Sequence, residues 1–305
     1  MSFELVILGS NSAIPANGRH PTSQILNHHH SCFLIDCGEG TQMRMDASRI
    51  KRSRIDHIFI SHLHGDHYFG LIGLITSFHL LNREKPLHIY CPKELEGIIQ
   101  MQLRFSNTGL PFDLNFHFLH FEKAERILEN DVLTVETIIM NHRIPCAGFL
   151  FREKPMLRNM IPEKITKYKI PHSKIPGIKA GEDFISENGE VIPNHLLTLS
   201  PSSPRSYAFC ADTIYTESVI DQIKDVDLLY HEATFTEESK DRAVTTMHST
   251  AKEAAMIASK ANVKKLMIGH YSAKYKSLEN HLTEAKEFFE NTILAEEGMT
   301  YHIGD

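Results

Sequence analysis

Short apolar runs recur along the chain, separated by polar turns and by stretches with helical spacing. Phe3–Gly9, Ser31–Asp36, Ile55–Ser61, Leu87–Cys91, Val132–Met140, Ser206–Ala211, Val226–Tyr230 and Lys264–Ile268 read as strands. Helices are predicted over Tyr68–Leu81, Pro92–Arg104, Ser249–Lys260 and Leu278–Glu290. Pro92 suits a first helical turn, and Ser249 serves as an N-cap with Glu253 nearby. The stretch Tyr68–Leu81 is apolar on nearly every side, so it is either deeply buried or covered on one face by another subunit. Strands alternating with helices predict a layered α/β protein.

Composition narrows the class without changing that picture. The chain has 305 residues, 42% hydrophobic and 23% charged, near the globular average and within reach of one large domain spanning 1–305. The first residues lack a basic segment and a long apolar run, so no signal peptide is expected there. No apolar stretch is long enough to span a membrane. The five cysteines form no CxxC pair, which points to reduced thiols and a cytoplasmic location.

Charge singles out one segment. Residues 151–180 hold eight Lys or Arg against two Glu, a net +6, which leaves −12 for the rest of a chain whose total is −6. Four prolines (Pro155, Pro162, Pro171, Pro176) interrupt it and leave little room for a core element. It reads as an inserted basic arm on the globular body, with approximate bounds 151–195.

Five strand candidates run directly into a histidine or aspartate: His62, His142, Asp212, His231 and His270. Ligands and catalytic groups gather at the carboxyl ends of strands in α/β sheets. The specific signal is His62-Leu63-His64-Gly65-Asp66-His67, four metal-competent side chains on a turn tightened by Gly65. Such a loop can offer His62 and His64 to one ion, and Asp66 and His67 to a second. His142, Asp212 and His270 complete the set, with the two oxygens of Asp212 as the bridge. Mixed imidazole and carboxylate ligation favours two Zn2+ per subunit, with Mn2+ or Fe2+ as competitors. Paired ions clamp the attacking and leaving oxygens of a displacement and lower the pKa of a water, which is hydrolase chemistry. His28-His29-His30, by contrast, lies between strand candidates and reads as an exposed hairpin turn.

With these residues in place the chain resembles the metallo-β-lactamase superfamily and, within it, the ribonuclease Z family of tRNA 3′-processing endonucleases. Ser31–Thr41, the loop His62–His67 with the following Phe69-Gly70-Leu71, then His142, Ala211-Asp212-Thr213 and Gly269-His270 fall where the family's motifs stand. His231-Glu232-Ala233-Thr234 and His248-Ser249-Thr250 match its paired HEAT and HST motifs. Pro15-Ala16-Asn17-Gly18-Arg19 occupies the position of a Pro-x-Lys-x-Arg-type motif, with asparagine at the lysine position.

The resemblance implies an αββα sandwich of two mixed sheets with the inserted arm. It also implies a homodimer in which one subunit's arm grips precursor tRNA whose 3′ end enters the other's site. Arg19 and the arm lysines Lys164, Lys167, Lys169, Lys174 and Lys179 are then the substrate-binding candidates, since Lys/Arg contacts to phosphates supply most non-specific affinity. The expected reaction is removal of the 3′ trailer by hydrolysis of an RNA phosphodiester. Asp66 is the expected proton acceptor, and His248, oriented by Glu232, assists the scissile phosphate or leaving oxygen. Two other readings compete: another hydrolase of this fold acting on a small ester, thioester or cyclic nucleotide, and an RNA-binding protein without catalysis. The basic arm speaks against the first, the intact ligand set against the second.

Overall fold

A computed structural model describes residues 2–304 and divides the chain into two units. The first comprises residues 1–129, 134–151 and 205–305, less the two terminal residues. Two seven-stranded mixed sheets form its centre. In the first, Thr300–His302, Phe3–Gly9, Ser23–His28 and Ser31–Cys37 pair antiparallel, and Ile55–Phe59, Leu87–Cys91 and Leu114–Phe118 continue in parallel. The second runs in the order Thr292–Leu294, Leu266–Gly269, Leu228–Glu232, Ser206–Cys210, Cys146–Glu153, Leu133–Met140 and Arg126–Glu129. Its first four strands are parallel.

Alternation along the strands sends one row of side chains inward from each sheet. Phe33 and Phe59 of the first sheet meet Phe149 and Phe151 of the second, with ring centroids 5.3–5.7 Å apart. All four are buried, and replacing one by alanine removes about 3–5 kcal/mol of packing. The outer face of the first sheet is covered by helices Thr41–Ala47, Leu71–Leu80 and Glu94–Phe105, whose Met45, Leu74, Phe78 and Leu95 join one apolar cluster. Helix Ala251–Lys260 packs on Leu228–Glu232 and Leu266–Gly269 of the second.

Most sequence-based elements recur within two residues of their expected ends. The expected helix Tyr68–Leu81 is instead two pieces, Gly65–Tyr68 and Leu71–Leu80, joined at Gly70. A Cβ at Gly70 would lie 2.2 Å from the Gly38 carbonyl oxygen, so only glycine permits this approach to the end of Ser31–Cys37. The inward face (Leu71, Leu74, Ile75, Phe78) is buried, while Phe69, Leu80 and Leu81 are more than 60% exposed. The N-cap of Ala251–Lys260 is Thr250, not Ser249: Thr250 and Glu253 form a reciprocal capping box. In the triple histidine, only the last two residues form the turn; His28 ends a strand and is buried.

The second unit, residues 130–133 and 152–204, overlaps the segment 151–195 that the sequence reading set apart as an arm. Contrary to the reading of its prolines, it has a small core of its own, built from Ile170, Ile178, Phe184, Ile192 and Leu197. Pro162 and Pro176 open the short helices Pro162–Lys167 and Ile175–Ala180, where a missing N–H costs nothing.

Candidate metal centre

The loop after strand Ile55–Phe59 brings His62, His64, Asp66 and His67 to one edge of the first unit. His142 arrives after Leu133–Met140, Asp212 after Ser206–Cys210, and His270 after Leu266–Gly269. His231 does not join them. It lies inside strand Leu228–Glu232 with Nδ1 2.7 Å from the Glu232 carbonyl oxygen, and Glu232 takes the strand-end position instead.

Two groups of donors form. His62 Nε2 stands 3.0 Å from His64 Nδ1, and His142 Nε2 3.2 Å from the same atom. Asp212 Oδ2 lies 3.5 Å from His62 Nε2 and 3.8 Å from His142 Nε2. In the second group His67 Nε2 and His270 Nε2 are 3.2 Å apart. Asp66 Oδ2 lies 3.6 and 3.4 Å from them, and Asp212 Oδ1 3.4 and 3.2 Å. Asp212 thus offers one oxygen to each group.

Outer partners fix the ring tautomers. His67 Nδ1 donates to Asp36 Oδ2 at 2.7 Å, and His142 Nδ1 to the Met247 carbonyl at 2.9 Å. His270 Nδ1 meets Thr234 Oγ1 at 2.9 Å, and His62 Nδ1 meets Ser61 Oγ at 3.0 Å. Asp66 Oδ2 accepts from the Ala13 N–H at 2.7 Å. Ala13, Asp36, Met247 and His270 all have φ between 54° and 60°, so backbone strain is concentrated around the site.

The residues fit divalent ions. With Nδ1 of His62 and of His142 donating outward, both Nε2 atoms turn lone pairs toward the same point beside His64 Nδ1, a convergence of acceptors that suits a cation. Ligands about 2.0–2.2 Å from a zinc ion stand roughly 3.3–3.6 Å apart in a tetrahedron, within the 3.0–3.8 Å spread of these separations. Asp212 Oδ1 is buried without a hydrogen-bond partner, which a cation would satisfy. Electrostatics agree. Burial opposes charge on His67, yet Asp212, Asp66 and Asp36 outweigh it and hold its pKa well above the ordinary value. Burial pushes His62 well down and His64 down to about 4, so both are neutral at physiological pH, the form that metal ligation needs.

Beside this centre, Glu232 is wholly buried among donors. Its Oε1 accepts from Thr213 N–H (3.1 Å), Ser249 N–H (3.0 Å) and His248 Nδ1 (2.9 Å), and its Oε2 from the Thr234 N–H (3.0 Å) and hydroxyl (2.7 Å). Burial disfavours charge on His248, but Glu232 overrides it and raises the pKa to about 9. An open cleft of about 300 Å³ gives access, lined by His64, Asp66, Asp212, His248, His270 and also by Phe69 and Arg143.

Arg19 is half-buried, with Nε on Asn11 Oδ1 at 3.0 Å and a terminal nitrogen on the Tyr275 carbonyl, so much of its donor capacity is used internally. Lys164, Lys167, Lys169, Lys174 and Lys179 belong to the second unit, where Lys167, Lys169 and Lys174 are exposed. Asp36, Thr234, Phe69 and Arg143 were not singled out from the sequence. Asp36 alone carried a usable signal, as a carboxylate ending a strand.

Known proteins extend the comparison to the whole chain. A family model described as anti-Pycsar protein Apyc1 matches residues 3–158, which include the metal loop and His142 but neither Asp212 nor His270. "Ribonuclease Z" of Bacteroides thetaiotaomicron is 47% identical over 303 residues, covering 99% of this chain and 96% of that protein. "Ribonuclease Z" of Porphyromonas gingivalis is 42% identical over 298 residues, covering 98% of each. Human tRNase Z, short form, superposes with a TM-score of 0.71 at 25% identity, over 99% of this chain and 100% of that one. With the whole ligand set inside these matches, the two-sheet fold is that of the metallo-β-lactamase proteins, and the chain belongs to the ribonuclease Z family.

Proposed function

We propose that the protein, a metal-dependent endoribonuclease, removes the 3′ trailer from precursor tRNA using two zinc ions. The observation that carries this reading is the buried Glu232–His248 pair beside the two donor groups. A metal site alone fits many hydrolases, whereas this pair puts a protonated imidazole at the cleft. His62, His64, His142 and Asp212 Oδ2 would hold one ion, and Asp66, His67, His270 and Asp212 Oδ1 the other. When bound, the ions polarise the scissile phosphoryl group and activate the attacking water.

The chain's own groups do the proton work. Asp66 stays ionised, because His67 and His270 overcome its burial and hold its carboxyl well below the usual range; it is assigned as the proton acceptor on its place beside the donor groups and its carboxylate form at neutral pH. His248 has Nδ1 committed to Glu232, which leaves Nε2 as the nitrogen that gives a proton to the leaving oxygen. Glu232 keeps that imidazole charged and oriented. The exposed arm lysines contact the tRNA backbone away from the cleaved bond.

A homodimer is part of this proposal: Met43, Leu80 and Leu81 expose 62–72% of their surface on helices that cover the first sheet. The five buried, unpaired cysteines support a cytoplasmic location. Incubating the zinc-loaded protein with a 3′-extended precursor tRNA, a thioester and a β-lactam tests the reading. Cleavage confined to the precursor supports it; turnover of a small ester alone overturns it.

A further inference from the structure

We infer that the cleft forms a nucleotide subsite, in which Phe69 stacks a base and Arg143 pairs with the phosphate next to the cleaved one. The inference rests on the RNA-cleaving reading of the metal centre and adds what the site grips. Phe69 caps the short helix Gly65–Tyr68, and its N–H donates to the Gly65 carbonyl at 2.9 Å. Its ring lies over the glycine: a Cβ at Gly65 would stand 2.1 Å from Cε2 and 2.3 Å from Cζ. Tyr68 holds the ring edge-on at 5.1 Å between centroids. The ring is therefore placed in advance, yet 63% exposed and lining the cleft. A flat, fixed, solvent-facing aromatic beside a phosphodiester-cleaving centre is a stacking platform for an unpaired base.

Arg143 follows His142 in the chain, lines the same cleft and is exposed. Among the described residues, none forms a hydrogen bond or ion pair with it. An arginine beside Asp66 and Asp212 that pairs with neither keeps its whole guanidinium fork for an incoming anion. His248 is committed to Glu232 and, in the reaction proposed above, serves the reacting phosphate, so Arg143 is left for the adjoining one.

The test uses zinc-loaded wild type, R143A, R143K, F69A, F69L and F69Y. Three quantities are read: KM for precursor tRNA, anisotropy binding of a short fluorescent single-stranded RNA, and the dependence of both on salt. R143A weakens binding at least about tenfold and flattens the log–log salt slope by about 0.7, one phosphate's share, while R143K restores the slope. F69A weakens binding roughly 5- to 150-fold at unchanged slope; F69Y restores it and F69L does not. Unchanged KM and slope in R143A, or full rescue by F69L, overturns the subsite. So does loss of zinc or a smaller solution mass in F69A or R143A, which would assign these side chains to structural support. Wild type that binds the RNA through these residues without cutting the precursor would overturn the trailer reading and leave the subsite standing.

Discussion

Replacing Glu232 by glutamine tests the proton-donor role at its origin. Glu232 holds five donors with two carboxylate oxygens, and glutamine keeps the shape while turning one acceptor into a donor. Either orientation sets an NH2 group against N–H or O–H donors in a buried site, a loss of about 2–5 kcal/mol. The second effect is on His248. Its pKa of about 9 depends chiefly on Glu232; without that charge burial pulls it down, against the smaller remaining attraction of Asp212 and Asp66. A fall to the ordinary histidine value of about 6.5 takes the protonated fraction at about pH 7.5 from roughly 97% to about 10% and kcat down about tenfold, and by about 10²–10⁴ if proton donation is wholly lost. Stability shifts in a defined window. The folded pKa is raised above the unfolded value, so the contribution, about 3 kcal/mol, is fully present below about pH 6.5 and lost as pH rises through about 9. The assay is kcat for precursor cleavage against pH, together with chemical denaturation of metal-free protein at several pH values. The alkaline limb near 9 should move to lower pH in the variant. An unmoved limb refutes the pairing as the source of the donor.

Other perturbations probe separate links of the account. Asp212→Asn removes the shared bridge, and bound metal should fall from two ions per chain to one or none by elemental analysis, with kcat down at least about a hundredfold. Gly70→Ala forces a Cβ against the Gly38 carbonyl, and denaturation should show a loss of about 2–4 kcal/mol, with weaker metal binding because the ligand loop shifts. Changing Lys167, Lys169 and Lys174 together to alanine should raise KM for precursor tRNA and flatten its salt dependence by up to about 3, while a small phosphodiester is turned over as before.

The candidate metal donors were legible because their chemistry is local: four donors in six residues, then single donors at the ends of apolar strands. Most inner strands were equally plain, since both their faces are covered and the apolar runs are continuous, but Ser23–His28 and Cys146–Glu153, inner strands too, were not read from the sequence. Edge strands such as Arg126–Glu129 and Thr300–His302 escaped, being short and half polar. The break at Gly70 was hidden because apolar spacing continues through it, and only the approach of Gly38 forbids a continuous helix. His231 illustrates the limit of strand-end reasoning: a shift of two residues in the strand's end turned it away from the cleft and brought Glu232 in. The outer partners of the ligands, Asp36, Thr234 and the Met247 carbonyl, depend on contacts far apart in sequence, which no local pattern encodes.

The most direct test of the central claim is to map both ends of the products after zinc-loaded protein acts on one 3′-extended precursor tRNA. The account predicts a single cut at the base of the trailer, releasing it intact, and no cut once Asp66 or His248 is replaced by alanine. Stepwise shortening of the trailer, scattered cuts through the tRNA body, or undiminished cleavage by the variants would contradict it.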